Sequence, residues 1–132
     1  MCHIVCRQEL RAILCTMPVE RELMRGSGPL AVLQLLSRRA MYGYELVEAL
    51  ERESQGVLAM GQSTLYPLLY NLEAKGLVSS RTDDGEAGRV RRYYSLTAAG
   101  QKELVRQRKS WRALAQAMRA LGVLDAPAGG RA

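Results

Sequence analysis

The hydrophobic period of this chain changes twice, and those changes fix the order of its elements. Up to Gly76 the apolar residues recur at helical spacing: Leu65, Leu68, Leu69 and Leu72 fall at i, i+3, i+4 and i+7. Beyond it the period drops to two. The runs LVSSRT and RVRRYYSL are strand-formers, and DDGEAG between them, acidic with two glycines, reads as a hairpin loop. In the second run Val90, Tyr94 and Leu96 share one side, while Arg89, Arg91 and Tyr93 share the other. Thr97 then suits an N-cap, and a helical pattern returns over about 98–121. The expectation is a mainly α chain with a small β-hairpin, in the order helix, helix, helix, hairpin, helix.

Three helices are predicted before the hairpin. PLAVLQLLSR, about 29–38, is apolar almost all round, so it must be covered on every side. A small domain covers one face, and the other face suggests a partner subunit. Gly26-Ser27-Gly28-Pro29 reads as a break before this helix, which makes 1–28 an N-terminal extension. Within that extension Cys6, Leu10, Ile13 and Met17 have helical spacing, and Pro18 stops the pattern. The second helix is expected from about Gly43 to Ser54, with Tyr44, Leu46, Val47 and Leu50 inward and Gly56 as its stop. The third runs from about Gln62 to Lys75, with Gly76 as a left-handed exit. Its cap is Gly61 or Ser63, and that choice decides whether Pro67 forfeits one helical bond or none. Residues 122–132 read as a disordered tail.

Composition excludes several functions. His3 is the only histidine of 132 residues, which rules out a His-based catalytic dyad and a multi-histidine metal site. Cys2, His3 and Cys6 do not make a closed zinc site, which needs four ligands at tighter paired spacing. No converging acid, base or nucleophile is visible, so no enzyme and no cofactor is expected. Three cysteines, an odd number crowded into the first sixteen residues, fit a reducing cytoplasmic setting better than a disulfide scaffold. No apolar run nears the roughly 20 residues of a membrane helix. Lys and Arg number 19 against 13 Asp and Glu, a formal charge of +6, which points to polyanions and first to nucleic acid.

Three short helices followed by a two-stranded hairpin is the layout of a winged helix-turn-helix, in which the third helix enters a major groove. The domain is expected over 29–97 and the long last helix over 98–121. With its leucines inward, the third helix turns Gln62, Ser63, Thr64, Tyr66, Tyr70 and Asn71 outward as candidate contacts to base edges and phosphates. The alternative is a merely solvated face, though such faces usually carry Lys and Glu rather than tyrosines. Arg89, Arg91 and Arg92 suit phosphate contact from the hairpin. Pairing of these arginines with Asp83, Asp84 and Glu86 at the hairpin tip is the competing role.

The segments LAVLQLLSRRAMYGYELVEALE, STLYPLLYNLEAKGLV and RRYYSLTAAG together resemble the PadR family of bacterial transcriptional regulators. The marks are Tyr42-Gly43-Tyr44-Glu45, Thr64-Leu65-Tyr66-Pro67 with Leu72-Glu73 and Gly76-Leu77, and Arg92-Tyr93-Tyr94-Ser95-Leu96-Thr97 with Gly100. The resemblance spans about 29–121. A single C-terminal helix is similar to the short subgroup and implies a dimeric repressor of double-stranded DNA with a pseudo-palindromic operator. It also implies a chain opening at Met17, which sets residues 1–16 upstream of the usual start. Gly61 departs from the capping Ser that the family often has, and the acids at the wing tip are a second departure. The rival reading from another class is a winged helix used only for protein–protein assembly.

The last helix supplies its own dimer argument. Leu104, Gln107, Trp111, Leu114, Met118 and Leu121 step by 3, 4, 3, 4 and 3, an a/d seam. Leu30 and Leu33 of the apolar first helix are expected to join this interface. Lys102, Arg106, Arg108, Lys109, Arg112 and Arg119 cover the other faces and read as solvated. Trp111, the only tryptophan of a chain lacking Phe, has two roles open to it: core packing, or the border of an unfilled hollow. In the subgroup that the chain resembles, a tryptophan here stacks on flat lipophilic effectors between subunits. A small aromatic or lipophilic effector, cationic or phenolic, is then expected on Trp111, with Leu33 and Leu104 as walls and Gln107 as a polar contact.

Overall fold

The computed structural model describes residues 20–83 and 91–124. The expected extension helix before Pro18, the acids Asp84 and Glu86, Arg89, Val90 and the tail from 125 lie outside these residues. Among the described residues four helices and three strands follow one another: α1 (Arg21–Leu36), β1 (Met41–Tyr42), α2 (Gly43–Glu53), α3 (Gln62–Ala74), β2 (Val78–Asp83), β3 (Arg91–Leu96) and α4 (Ala98–Ala120). The mainly α winged-helix architecture is therefore as the sequence predicts.

The first helix corrects the expected break. α1 begins at Arg21 and passes without interruption through Gly26-Ser27-Gly28-Pro29. Residues 21–28 therefore belong to the packed helix and not to an appendage. Pro29 forfeits one bond only, and the Ser27 hydroxyl donates to the Leu23 carbonyl at 2.7 Å. Gly28 serves close packing, since a Cβ there would lie 3.2 Å from Leu68 Cδ1 on α3. The chain's own elements also cover much of α1. Val32, Leu33, Leu35 and Leu36 are buried against α2, α3, α4 and β3, leaving Leu30 and Ala31 half-buried. Its all-round apolarity reflects a central helix more than a partner's surface.

β1 has no counterpart among the sequence expectations, because two residues cannot display a period. It pairs antiparallel with β3 in the order β1-β3-β2, matching Met41 with Tyr94 and Tyr42 with Tyr93. Met41, Val78 and Tyr94 enter the core with Leu46, Leu65, Leu69 and Leu104. On α2 the buried residues are Gly43, Leu46, Ala49 and Leu50, whereas Tyr44 is 51% exposed. The expected inner stripe thus overreached by one residue: Tyr44 lies two positions before Leu46, about 200° around the helix at 3.6 residues per turn. Its hydroxyl bonds instead to Glu48, whose charge raises the phenol pKa.

Two caps hold the domain's joints. Glu45 accepts from the Tyr42 backbone N–H at 3.2 Å and so fastens the start of α2 to β1. The Thr97 hydroxyl accepts from Gly100 N at 2.9 Å at the start of α4 and donates to the Gly76 carbonyl at 2.7 Å. That second bond ties α4 to the left-handed exit of α3, where Gly76 has φ +78°. The far end of α4 closes in an ordered turn, with Val123 N donating to the Met118 carbonyl at 2.9 Å past Gly122 (φ 89°). The chain is thus folded to Leu124, three residues into the stretch expected as tail.

Candidate nucleic-acid interface

α3 presents the outward face that its leucine spacing requires. Leu65, Leu69 and Leu72 are buried, while Gln62, Ser63, Thr64, Tyr70 and Asn71 are exposed. Gly61 is the cap, so Pro67 forfeits one bond, and both Thr64 N and Leu65 N donate to the Gly61 carbonyl. Tyr66 departs from this set. It is half-buried, and its ring lies so close to Gly43 that a Cβ there would overlap the phenol. Gly43 of the YGYE motif and Tyr66 of the TLYP motif are thus two halves of one contact between α2 and α3. That contact locks the two helices of the helix-turn-helix together.

The wing arginines divide between the two faces of the sheet. Arg92 shares the side of Tyr94 and leans toward α3, where its guanidinium donates to the Ser80 hydroxyl at 3.3 Å. Ser80 in turn donates to Glu73 of α3 at 2.7 Å. Burial raises the Tyr94 phenol pKa, and Tyr66, Glu73 and Tyr70 push the same way, with Arg92 opposing. Arg92 is therefore linked to the third helix through Ser80 and Glu73.

Arg91 lies on the other face. Its guanidinium stacks 4.7 Å from the Tyr42 ring, Tyr42 meets Tyr93 edge-on at 5.5 Å, and Arg81 covers Tyr93 at 5.5 Å. Arg81 was missed in sequence because the first strand-like run carries it as a lone cation. The β2–β3 register, which places Arg81 opposite Tyr93, makes it part of the same layer as Arg91.

The seam of α4 is only partly free. Trp111, Leu114 and Leu121 are 37%, 46% and 75% exposed, and Met118 is half-buried. Leu33 and Leu104, expected as interface residues and as walls beside Trp111, are instead 0% and 1% exposed in the core of the single chain. The first half of the a/d pattern faces α1 of the same chain, as burial on the central helix demands. Gln107 is also elsewhere. Its amide donates to Glu103 at 2.7 Å, at the edge of a polar cleft that also includes Arg25 and Lys75. The Arg106 guanidinium and this amide hold the Glu103 carboxyl down to about 2.

The hollow beside Trp111 is real but has other walls. It measures about 270 Å³ and is lined by Ser27, Leu30, Ala31 and Gln34 of α1, Leu58 of the α2–α3 loop, and Arg108 with Trp111 of α4. Small-molecule sites begin near 300 Å³. At about 270 Å³ this open, apolar-lined hollow lies just under that range. No carboxylate among the described residues pairs with Arg108. Nor do these residues contain a cluster able to hold a metal ion, or a helix long and apolar enough to cross a membrane.

Comparison with known proteins gives one answer. The family model of PadR-like transcriptional regulators matches residues 32–106. Transcriptional regulator Rv3488 of Mycobacterium tuberculosis is 36% identical over 98 residues, spanning 73% of this chain and 86% of that protein. Among solved structures, a PadR family transcriptional regulator from Eggerthella lenta is 34% identical with a TM-score of 0.68, covering 79% of this chain and 88% of that one. A Streptococcus transcriptional regulator is 30% identical at a TM-score of 0.68, covering 78% and 99%.

Proposed function

The chain belongs to the PadR-like family of transcriptional regulators, and from that premise we propose that it is a dimeric, cytoplasmic repressor of double-stranded DNA, released by a flat lipophilic effector. The observation that carries the DNA reading is the exposed polar face of α3, on a helix joined to the wing through Arg92, Ser80 and Glu73. Gln62, Ser63, Thr64, Tyr70 and Asn71 read base edges and phosphates there, and Tyr66 sets the angle of α3 while presenting only its rim. Arg91 and Arg92, with Arg89 beyond the described residues, take phosphates. Two such units related by a two-fold axis fit a pseudo-palindromic operator with half-sites about 10 bp apart or a multiple.

Dimerisation rests on the apolar residues that the subunit leaves open: Trp111, Leu114, Met118 and Leu121, with Leu30 at the edge. The effector reading rests on the Trp111 hollow. Its apolar walls suit a planar guest, and indole stacking adds roughly 0.5–1.5 kcal/mol beyond area burial. Arg108 at the same hollow favours a neutral or phenolic guest over the cationic one that the sequence also allowed.

The experiment is to select bound fragments from the source genome and measure their affinity across salt concentrations. A shared inverted repeat and a steep fall of affinity with salt are expected. Salt-independent association, or no enrichment, would replace this reading with the protein–protein assembly module.

A further inference from the structure

Leu58 belongs to two neighbouring hollows and to the approach of the third helix. With Ala31 and Gln34 it lines both the Trp111 hollow and a smaller one of about 150 Å³, which continues over Ala49 and Leu50 to the Arg38–Glu53 ion pair. The other walls of the Trp111 hollow are helices. Leu58 comes from a loop whose hold is local: Ser54 Oγ accepts from Leu58 N at 2.8 Å and donates to the Leu50 carbonyl at 2.6 Å. Within that loop Gln55, a residue with a Cβ, sits at φ 56°, followed by Gly56 at φ 88°. Gly56 N closes this turn by donating to the Glu51 carbonyl at 2.8 Å, and Leu58 is the one lining residue of the Trp111 hollow that a loop supplies.

Movement of Leu58 has a short route to α3. Two residues separate it from Gly61, whose carbonyl takes the first bonds of α3 from Thr64 N and Leu65 N at 3.1 and 3.0 Å. The intervening Met60 is buried against α1 at Gly28, where Leu68 of α3 also packs. Ser27 and Leu30, which flank that glycine, line the hollow from the same helix. Loop, α1 and the first turns of α3 thus meet immediately behind the Trp111 hollow.

We propose that a guest in this hollow acts on the third helix of its own subunit, by displacing Leu58 and, through Met60 and Gly61, the first turn of α3. This proposal rests on the effector reading above and adds to it a route that needs no change in the angle between subunits. The guest weakens operator binding only as far as it prefers the displaced Leu58 to the resting one.

The test uses the full chain and 2-naphthol, a neutral two-ring phenol, with quenching of Trp111 reporting occupancy. Operator affinity is measured with and without saturating 2-naphthol for each protein, so that weaker guest binding does not enter the comparison. The expected ratio is at least about fivefold in the unaltered chain and under about twofold in Leu58→Ala. Hydrogen exchange of the unaltered chain should change over residues 57–65 on adding 2-naphthol. An undiminished ratio in Leu58→Ala, or unchanged exchange in that segment while Trp111 is quenched, overturns the route through Leu58. Absent quenching removes the hollow as a site and the route with it. Quenching and altered exchange without any loss of operator affinity would leave the route standing and refute effector release.

Discussion

Replacing Arg91 and Arg92 together by Ala tests whether the wing grips phosphate. Both guanidiniums are exposed, and the bonds that orient them, to the Tyr42 ring and the Ser80 hydroxyl, leave donors available. Each phosphate contact contributes about 0.9 to the slope of log K against log salt. Two lost contacts per wing lower the slope by about 1.8, and a dimer engaging both wings loses about 3.6. Between 50 and 200 mM salt the slope change of 3.6 corresponds to about 150-fold less variation in affinity. Fluorescence anisotropy with operator and with random duplex measures this. Because phosphates carry no sequence, the slope should fall equally for both DNAs. An unchanged slope would refute the argument and leave the arginines a role within the wing. A change of half the size would mean that one wing engages, or that each wing uses one of the two arginines, and the single variants Arg91→Ala and Arg92→Ala separate these. Tyr70→Ala and Asn71→Ala should keep the slope and narrow the gap between operator and random DNA.

Leu114→Asp and Leu121→Asp place charge on side chains that the subunit leaves exposed, so far-UV circular dichroism should stay intact while sedimentation equilibrium shows monomer; a retained dimer refutes the seam. Gly100→Ala drives a methyl into the Leu77 carbonyl, and Gly43→Ala drives one into the Tyr66 ring. Each should lower urea stability by about 1–3 kcal/mol, whereas Gly61→Ala, which meets nothing within 4 Å, should not clash at all. The Glu103 carboxyl, depressed from 4.5 to about 2 by Arg106 and Gln107, stabilises the fold above its unfolded value and loses that contribution as pH falls from 4.5 towards 2. Glu103→Gln should flatten the melting temperature across that window, and an equally steep acid limb in the variant would contradict this.

Local chemistry made much of this protein legible from its residues. The i, i+3, i+4, i+7 leucines of α3 name its buried face, so Gln62, Ser63, Thr64, Tyr70 and Asn71 follow as the exposed set. Alternation in RRYYSL separates Tyr94 from Tyr93, and Thr97 announces α4. These readings depend on one residue and its close neighbours, which is all that a periodicity or a cap requires. Tertiary contacts decided what lay beyond that reach. Gly26-Ser27-Gly28-Pro29 has the composition of a break, yet α1 runs through it because Gly28 lets Leu68 approach and packing outweighs propensity. Leu104 and Trp111 share one spacing pattern, but the first is sealed against α1 while the second borders a hollow, since helical period gives a direction and not a neighbour. Leu58 and Arg81 stand out in no motif. Each gains its place only when a loop closes onto α1, or a strand register sets a cation over Tyr93, and such pairings between distant residues exist only once the chain has folded.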